Sequence, residues 1–249
     1  MTTVTKPIDN IGCEYISNKC GKFIIIDYKG NDKYTVKFED GTIIENNQLG
    51  TIKRGEIKNP NVRNRYNVAC LGIGEYSYKT HKSYYTKWNS MLARCYNKDY
   101  HLKFPTYIGC TVCEEWLNFQ NFAKWCEDNY IEKYELDKDI LKLNNKLYSP
   151  ENCCFIPKEI NYLINNCKKQ DINLPTGINK TRVGNYAVGI CKFKKIYYFG
   201  TYTSIKEAFQ VYKINKELYI KEVAEIWKNK ISENVYNRLI NYKIEEILN

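Results

Sequence analysis

The sequence predicts an α+β fold: a small amino-terminal β-barrel-like unit, a central helical domain with a ββα finger, and a carboxy-terminal three-stranded sheet backed by a helix. Three observations predict it. Residues 22–46 alternate short apolar runs with turn dipeptides, residues 83–126 carry aromatic side chains at helical spacing, and residues 177–207 return to strands before a capped helix. The boundaries that follow are 1–60, 61–170 and 171–249. A chain of 249 residues with 43% apolar content has enough apolar surface to bury a core in each.

In the first segment, Lys22 to Tyr28 (KFIIIDY), Tyr34 to Phe38 and Thr42 to Glu45 read as strands. They are separated by Lys29-Gly30-Asn31-Asp32 and Glu39-Asp40-Gly41. Asp-Gly between apolar runs is a strong hairpin signal, because both residues tolerate positive φ. The unit reads as an accessory binding module without a catalytic constellation. Residues 47–80, with Gly50, Gly55, Pro60, Gly72 and Gly74, read as a linker entering the next domain. Gly72-Ile73-Gly74 lacks the third glycine and the helix start that a phosphate loop needs.

From Ser83 to Tyr96 the positions Tyr84, Trp88, Met91, Leu92 and Cys95 recur at helical spacing, as do Trp116, Phe119, Phe122, Ala123 and Cys126. Two helices packing their aromatic faces together are expected. In the third segment, strands are expected near Gly177–Thr181, Tyr186–Cys191 and Ile196–Gly200. Ser204-Ile205-Lys206-Glu207 then has the form of a capping box. The stretch from Glu217 to Leu248 is amphipathic and reads as helix.

The formal charge is +10, from 38 Lys+Arg against 28 Asp+Glu. Residues 1–60 carry 9 basic against 8 acidic groups, 61–170 carry 16 against 12, and 171–249 carry 13 against 8, so the surplus is central and carboxy-terminal. With 23 Tyr and 4 Trp, a basic surface fits phosphate attraction combined with base stacking. A Lys-, Asn-, Ile- and Tyr-rich composition is equally what an AT-rich genome produces. No apolar run approaches the ~20 residues of a membrane helix, and MTTVTKPIDN lacks a basic-then-apolar leader. The expectation is a cytoplasmic protein without a membrane partner. Eleven cysteines, an odd number without a leader, argue against a disulfide scaffold. Cys110-x-x-Cys113 has zinc-ligand spacing, and Cys153 is the candidate for a third thiolate of a structural zinc, with Cys95 or Cys126 as the fourth.

From Leu136-Asp137-Lys138-Asp139 through Tyr148-Ser149-Pro150-Glu151-Asn152-Cys153 to Asn161, the sequence resembles the HNH-type ββα-metal finger of phage-encoded homing endonucleases. The upstream pattern Trp88, Met91, Arg94-Cys95-Tyr96 and Val112-Cys113-Glu114-Glu115-Trp116 resembles the phage branch of that family, over roughly residues 84–170. The resemblance implies a metal-dependent DNA endonuclease using Mg²⁺ or Mn²⁺. Mapped by order, Lys138 falls where the catalytic His belongs, Asn152 takes the loop-holding place, and Asp137 and Asn161 take the metal places. A His near pKa ~6.5 accepts a proton at neutral pH, whereas a Lys near ~10.4 is already protonated. Asp137 and Asp139 beside Lys138 raise that barrier further. Lys138 therefore reads as a phosphate contact or a stabiliser of developing charge. The two histidines, His81 and His101, precede the finger, His101 in a loop that is expected to be able to fold over it.

Pro175-Thr176-Gly177-Ile178, Asn185-Tyr186-Ala187-Val188 and Tyr198-Phe199-Gly200-Thr201-Tyr202 resemble the three-stranded DNA-binding domain of plant ethylene-response factors, a module that phage homing endonucleases also carry. The resemblance implies one sheet face against DNA and the other against a helix. Strand alternation puts Tyr186, Val188, Ile190, Tyr197 and Phe199 toward the helix, and Thr181, Gly189, Cys191, Ile196 and Tyr198 toward DNA. Gly189, Cys191 and Ile196 replace the family's base-reading Arg and Glu. Lys180, Arg182, Lys192, Lys194 and Lys195, with Tyr198, remain as nucleic-acid contacts that give affinity without much sequence information. Two functions follow as expectations. One is a DNA-binding protein of homing-endonuclease ancestry with weak or lost cleavage. The other is a non-catalytic phage protein that binds DNA, RNA or a host nucleoprotein as an inhibitor of host defence.

Overall fold

The computed structural model describes residues 7–165 and 174–245. Cys167 and the end of the expected carboxy-terminal helix, Ile247 and Leu248, lie outside the described residues. The fold is mixed α+β. The chain divides into two compact units, Met1–Asp128 and Asn129–Asn249, instead of at residues 60 and 170.

The first unit opens with four antiparallel strands: β1 (Glu14–Ser17), β2 (Gly21–Tyr28), β3 (Tyr34–Phe38) and β4 (Ile43–Asn47), hydrogen-bonded in that order. β1 was not expected, because four residues with Ser17 inward offer little apolar alternation to read. Alternation on β2 and β3 sends Phe23, Ile25, Tyr34, Val36 and Phe38 into one core with Ile52 and Ile57. Full burial of an Ile or Val contributes about 1.5–3 kcal/mol. The Asp40-Gly41 turn forms as expected: Gly41 adopts φ +86°, Asp40 Oδ1 accepts from the Thr42 amide at 2.9 Å, and Asn59 Nδ2 donates to Oδ2 at 2.8 Å. The Thr42 amide, with Asn59, holds the Asp40 carboxyl below its usual pKa against the pull of partial burial.

A short helix α1 (Leu49–Lys53) leads into irregular chain, followed by α2 (Lys82–Tyr96), α3 (Lys98–Lys103), β5 (Thr111–Val112) and α4 (Phe119–Asn129). α2 and α4 pack as the aromatic spacing predicts. The Trp88 and Phe119 rings lie 5.4 Å apart, and Trp88 Nε1 donates to the Trp116 carbonyl at 2.7 Å. Trp116 sits in a 3₁₀ turn just before α4.

The second unit holds β6 (Glu135–Asp137), β7 (Leu147–Tyr148), β8 (Cys154–Ile156), α5 (Lys158–Asn165), β9 (Ile178–Lys180), β10 (Tyr186–Lys192), β11 (Lys195–Tyr202), α6 (Ile205–Trp227) and α7 (Glu233–Ile240). β6 and β8 pair antiparallel and run into α5, which is a ββα arrangement. β9, β10 and β11 form the expected sheet with β10 central. One core serves both parts: Ile140, Ile156, Ile160 and Leu163 of the finger join Val188 and Ile190 of the sheet and Phe209, Tyr212, Ile220 and Val223 of α6. A boundary near 170 would cut this core. α6 starts at the expected Ser204 cap and runs 23 residues without Gly or Pro, continuing past Glu217. It ends near Trp227, and Ser232, whose side chain accepts from the Val235 amide, caps α7 as a separate helix, so the stretch from Glu217 expected to be helical is divided between two helices. Glu217 accepts from the Ile244 amide at 2.9 Å and so ties the chain after α7 back to α6.

Candidate functional site

In the finger, Asp137, Lys138 and Asn161 each make hydrogen bonds that brace the local structure. Asp137, at the end of β6, is buried, and its Oδ1 accepts from the amides of Asp139 at 2.9 Å and Ile140 at 2.7 Å. The carboxylate shapes the turn that leaves the strand. Burial pushes its pKa above the usual carboxylate range, against the opposing pull of the two amides. Asn161 on α5 donates to Glu135 Oε2 at 2.6 Å, so its amide braces helix to strand.

Lys138 is only 7% exposed at its side chain. Its Nζ donates to Asp139 Oδ1 and to the Asn145 carbonyl, both at 2.6 Å, and lies 5.9 Å from the Tyr148 ring centroid. This corrects the expectation of a phosphate contact: an ammonium folded into its own loop does not present its charge to a ligand. Asn152 does not hold the loop as expected. It is half-buried, and its Nδ2 reaches the Leu147 carbonyl only at 3.5 Å. Asn145 takes that part, donating to the carbonyls of Lys138 at 3.0 Å and Leu147 at 2.6 Å and accepting from the Leu147 amide at 3.2 Å. The neighbouring Asn144 at φ +56° was its signal, since Asn tolerates the left-handed region that ends such a turn.

Asp137 Oδ1 accepts from two amides, and Asp139 is paired with the Lys138 ammonium. Among the described residues no three His, Cys, Asp or Glu groups gather as a metal set. Cys110 and Cys113 lie in the first unit and Cys153 in the second. Burial pushes the Cys153 thiol up and the adjacent Cys154 thiol up to about 12. His101 lies on α3, not in a loop, with its Nε2 2.8 Å from the Arg94 carbonyl. His81 lies edge-on to Tyr76 and tilted against Tyr84, ring centroids 5.0 and 5.5 Å away.

The three-stranded sheet presents a different surface. Val188 and Ile190 are buried against α6, and Tyr186 and Phe199 pack at the edge of that core, as alternation predicts. The partners Gly189↔Tyr198 and Cys191↔Ile196 share the opposite face. There Ile196 is 82% exposed and Tyr198 65% exposed, and the Tyr198 hydroxyl hydrogen-bonds Thr201 on the same strand. Tyr197 pairs with Ile190 yet stays half exposed, which departs from the expected packing against the helix.

Lys180, Arg182, Lys194 and Lys195 are all exposed, and among the described residues none has an ion-pair partner. Lys192 is the exception among the expected contacts. It faces α6, with Nζ 3.8 Å from Glu222 and 5.1 Å from the Tyr219 ring centroid. Alternation from Ile190 carries this signal, because residues two apart on a strand share a face. Phe193 and Lys194 turn the hairpin at φ +47° and +68°, and the Phe193 amide donates to the Tyr219 hydroxyl at 2.9 Å. The tip is thereby fixed to α6.

No family model matches this chain, and neither a curated protein nor a solved structure matches it.

Proposed function

We propose that this chain is a nucleic-acid-binding protein of HNH homing-endonuclease ancestry that has lost cleavage and binds DNA through the outer face and rim of its carboxy-terminal sheet. The observation that carries the reading is the set of four exposed cations, Lys180, Arg182, Lys194 and Lys195, that have no ion-pair partner among the described residues, two of them, Lys194 and Lys195, on the same hairpin as exposed Ile196 and Tyr198. Unpaired Lys and Arg attract phosphates, and an exposed tyrosine offers a stacking or sugar contact. The outer face lacks base-reading Arg and Glu, so affinity without strong sequence preference follows. Loss of cleavage is supported by the finger's chemistry: the position that would carry the general base holds an ammonium bonded at 2.6 Å to a backbone carbonyl.

The test is gel retention of a short duplex across a salt series, with supercoiled plasmid incubated in parallel with Mg²⁺ or Mn²⁺ and an Asp137→Ala control. Retention that weakens steeply with salt and leaves the plasmid intact is expected. Lys194→Ala and Lys195→Ala should each lower the log–log salt slope by about 0.9, the increment for one phosphate contact. Plasmid breakage that disappears in the control would overturn the loss of cleavage, and a flat salt response would overturn the nucleic-acid reading. A second reading, an inhibitor of a host nucleoprotein, is favoured by the apolar character of Ile196 and of Val183, also 82% exposed. It predicts that Ile196→Asp leaves duplex retention intact while abolishing capture of a nucleoprotein.

A further inference from the structure

An open groove of about 490 Å³ lies in the first unit. That volume falls within the ~300–1,000 Å³ typical of small-molecule sites. Its functional lining is Arg65, Leu71, Ile73, Tyr78, Lys79 and Tyr85, and none of its lining residues is acidic. Arg65 is half-buried, donates to the Tyr85 hydroxyl, and sits 5.7 Å over the Tyr85 ring. Neither it nor exposed Lys79 has a carboxylate partner among the described residues. A guanidinium offers five donors, so one hydroxyl leaves an anion-binding fork open. Tyr85 is itself held by Trp88 and Phe119, with ring centroids 6.1 and 5.6 Å away, and Tyr78 stands edge-on to it at 5.8 Å. Tyr78 is 58% exposed, and Leu71 and Ile73 are exposed beside it.

The floor of the groove is fixed. Gln120 donates to the carbonyls of Leu71 at 2.9 Å and Tyr76 at 3.0 Å and accepts from the Tyr76 amide at 3.1 Å. A Cβ at Gly72 would come within 2.2 Å of Asn118 Oδ1, and one at Gly74 within 2.2 Å of Gln120 Oε1. The Gly-Ile-Gly sequence thus serves close packing on α4. A groove with two cations lacking carboxylate partners among the described residues, an exposed Tyr78 ring beside half-buried Tyr85, and no acidic lining residue matches a planar ligand carrying an anion.

We infer that this groove holds one unstacked nucleotide, with its base against Tyr78 and Tyr85 and its phosphate on Arg65 and Lys79. The inference rests on the nucleic-acid reading above for its choice of planar anion. The ligand is either a free mononucleotide or one unit of a single strand. The test is calorimetric titration of the full chain with AMP and, separately, with a twelve-nucleotide single-stranded DNA, against Tyr78→Ala, Lys79→Ala and Lys194→Ala/Lys195→Ala variants. Tyr78 and Lys79 are exposed, so their replacement leaves the fold in place, checked by circular dichroism. Binding of AMP that falls about tenfold or more in Tyr78→Ala and Lys79→Ala but not in the hairpin variant supports the site for free nucleotide. The same pattern seen with the oligonucleotide alone supports it for strands. Absence of binding by both probes, or binding indifferent to Tyr78 and Lys79, overturns the inference. Duplex retention through the sheet, measured on the same samples, tells that result apart from failure of the broader reading.

Discussion

Lys138 Nζ donates at 2.6 Å to the carbonyl of Asn145, and the Asn145 side chain returns a bond to the Lys138 carbonyl at 3.0 Å. Each residue fixes the other's backbone across the loop between β6 and β7. Lys138→Met keeps the stem and removes the ammonium, which leaves the Asn145 carbonyl without its donor. Asp139, a third exposed, regains water and limits the loss. A destabilisation of about 1–3 kcal/mol is expected, read as faster hydrogen exchange at Ile140 and Leu147. A stability within ~0.5 kcal/mol of the wild type would show that the brace contributes nothing.

Asp137 gives a prediction with a sign in pH. Its folded pKa is raised above the unfolded value near 3.8, so between those two values the folded state binds more protons than the unfolded one. Stability from this group is therefore fully present below pH ~3.8 and falls as pH rises through the folded pKa. Asp137→Asn retains an Oδ1 acceptor for the Asp139 and Ile140 amides and carries no charge. The variant should match the wild type in acid and gain on it as pH rises toward 7, while Asp137→Ala should lose stability throughout. Urea midpoints at pH 4 and pH 7 decide the matter, and a variant that is weaker than wild type at pH 7 contradicts the assignment.

Much of this was legible where periodicity is strong. The β3–β4 hairpin with its Asp40-Gly41 turn, the α2 and α4 aromatic faces, and the Ser204 cap follow from local chemistry alone. The long-range partnerships were not legible. Nothing local says that Ile156 and Ile160 share a core with Val188 and Phe209, because a periodic pattern identifies a buried face without naming what covers it. The finger's residues were placed by order along the chain, and order does not reveal that Lys138 turns inward or that Asn145, seven residues on, takes the bracing part expected of Asn152. Lys192 is different in kind, since the alternation used for Ile190 already assigned its face.

The loop over α4 depends on Gln120. Gln120→Ala removes two donated bonds and one accepted bond that hold residues 71–76. At about 0.5–1.5 kcal/mol per bond, with partial rescue by water at this exposed edge, a loss of about 1–3 kcal/mol is expected. Limited proteolysis should cut first between Leu71 and Tyr78. Gly72→Ala should produce a similar or larger defect, because Gly72 adopts φ +70° and an added methyl meets the Asn118 amide. A Gly72→Ala protein as resistant as wild type would refute the packing role of the glycine pair.

Trp88 is fully buried, and its indole supplies the donor for the Trp116 carbonyl. Trp88→Phe keeps an aromatic ring against Phe119 but shrinks the side chain and strands that carbonyl. The expected cost is about 2–4 kcal/mol, the sum of an unsatisfied buried acceptor and a partly filled cavity. Thermal unfolding followed at the first unit's amides should show a fall of several degrees. An unchanged midpoint would mean that the Trp88–Trp116 bond carries no stability.

Cys191 lies on the outer face of the carboxy-terminal sheet beside Ile196, and it is the exposed thiol among the described cysteines. Cys126 and Cys153 are buried, and desolvation pushes both thiols up. A thiol reagent should therefore modify Cys191 first, with Cys126 and Cys153 reacting only as the protein opens. This ordering turns Cys191 into a reporter for the surface proposed to meet DNA. Saturating duplex at low salt should slow modification of Cys191 severalfold and leave the rate at half-buried Cys20, in the amino-terminal sheet unit, unchanged. Raising the salt should restore the Cys191 rate in step with loss of the retained complex. If DNA binds and Cys191 reacts as fast as in the free protein, the outer face is not the contact surface, and the four cations at its rim act from the side or not at all.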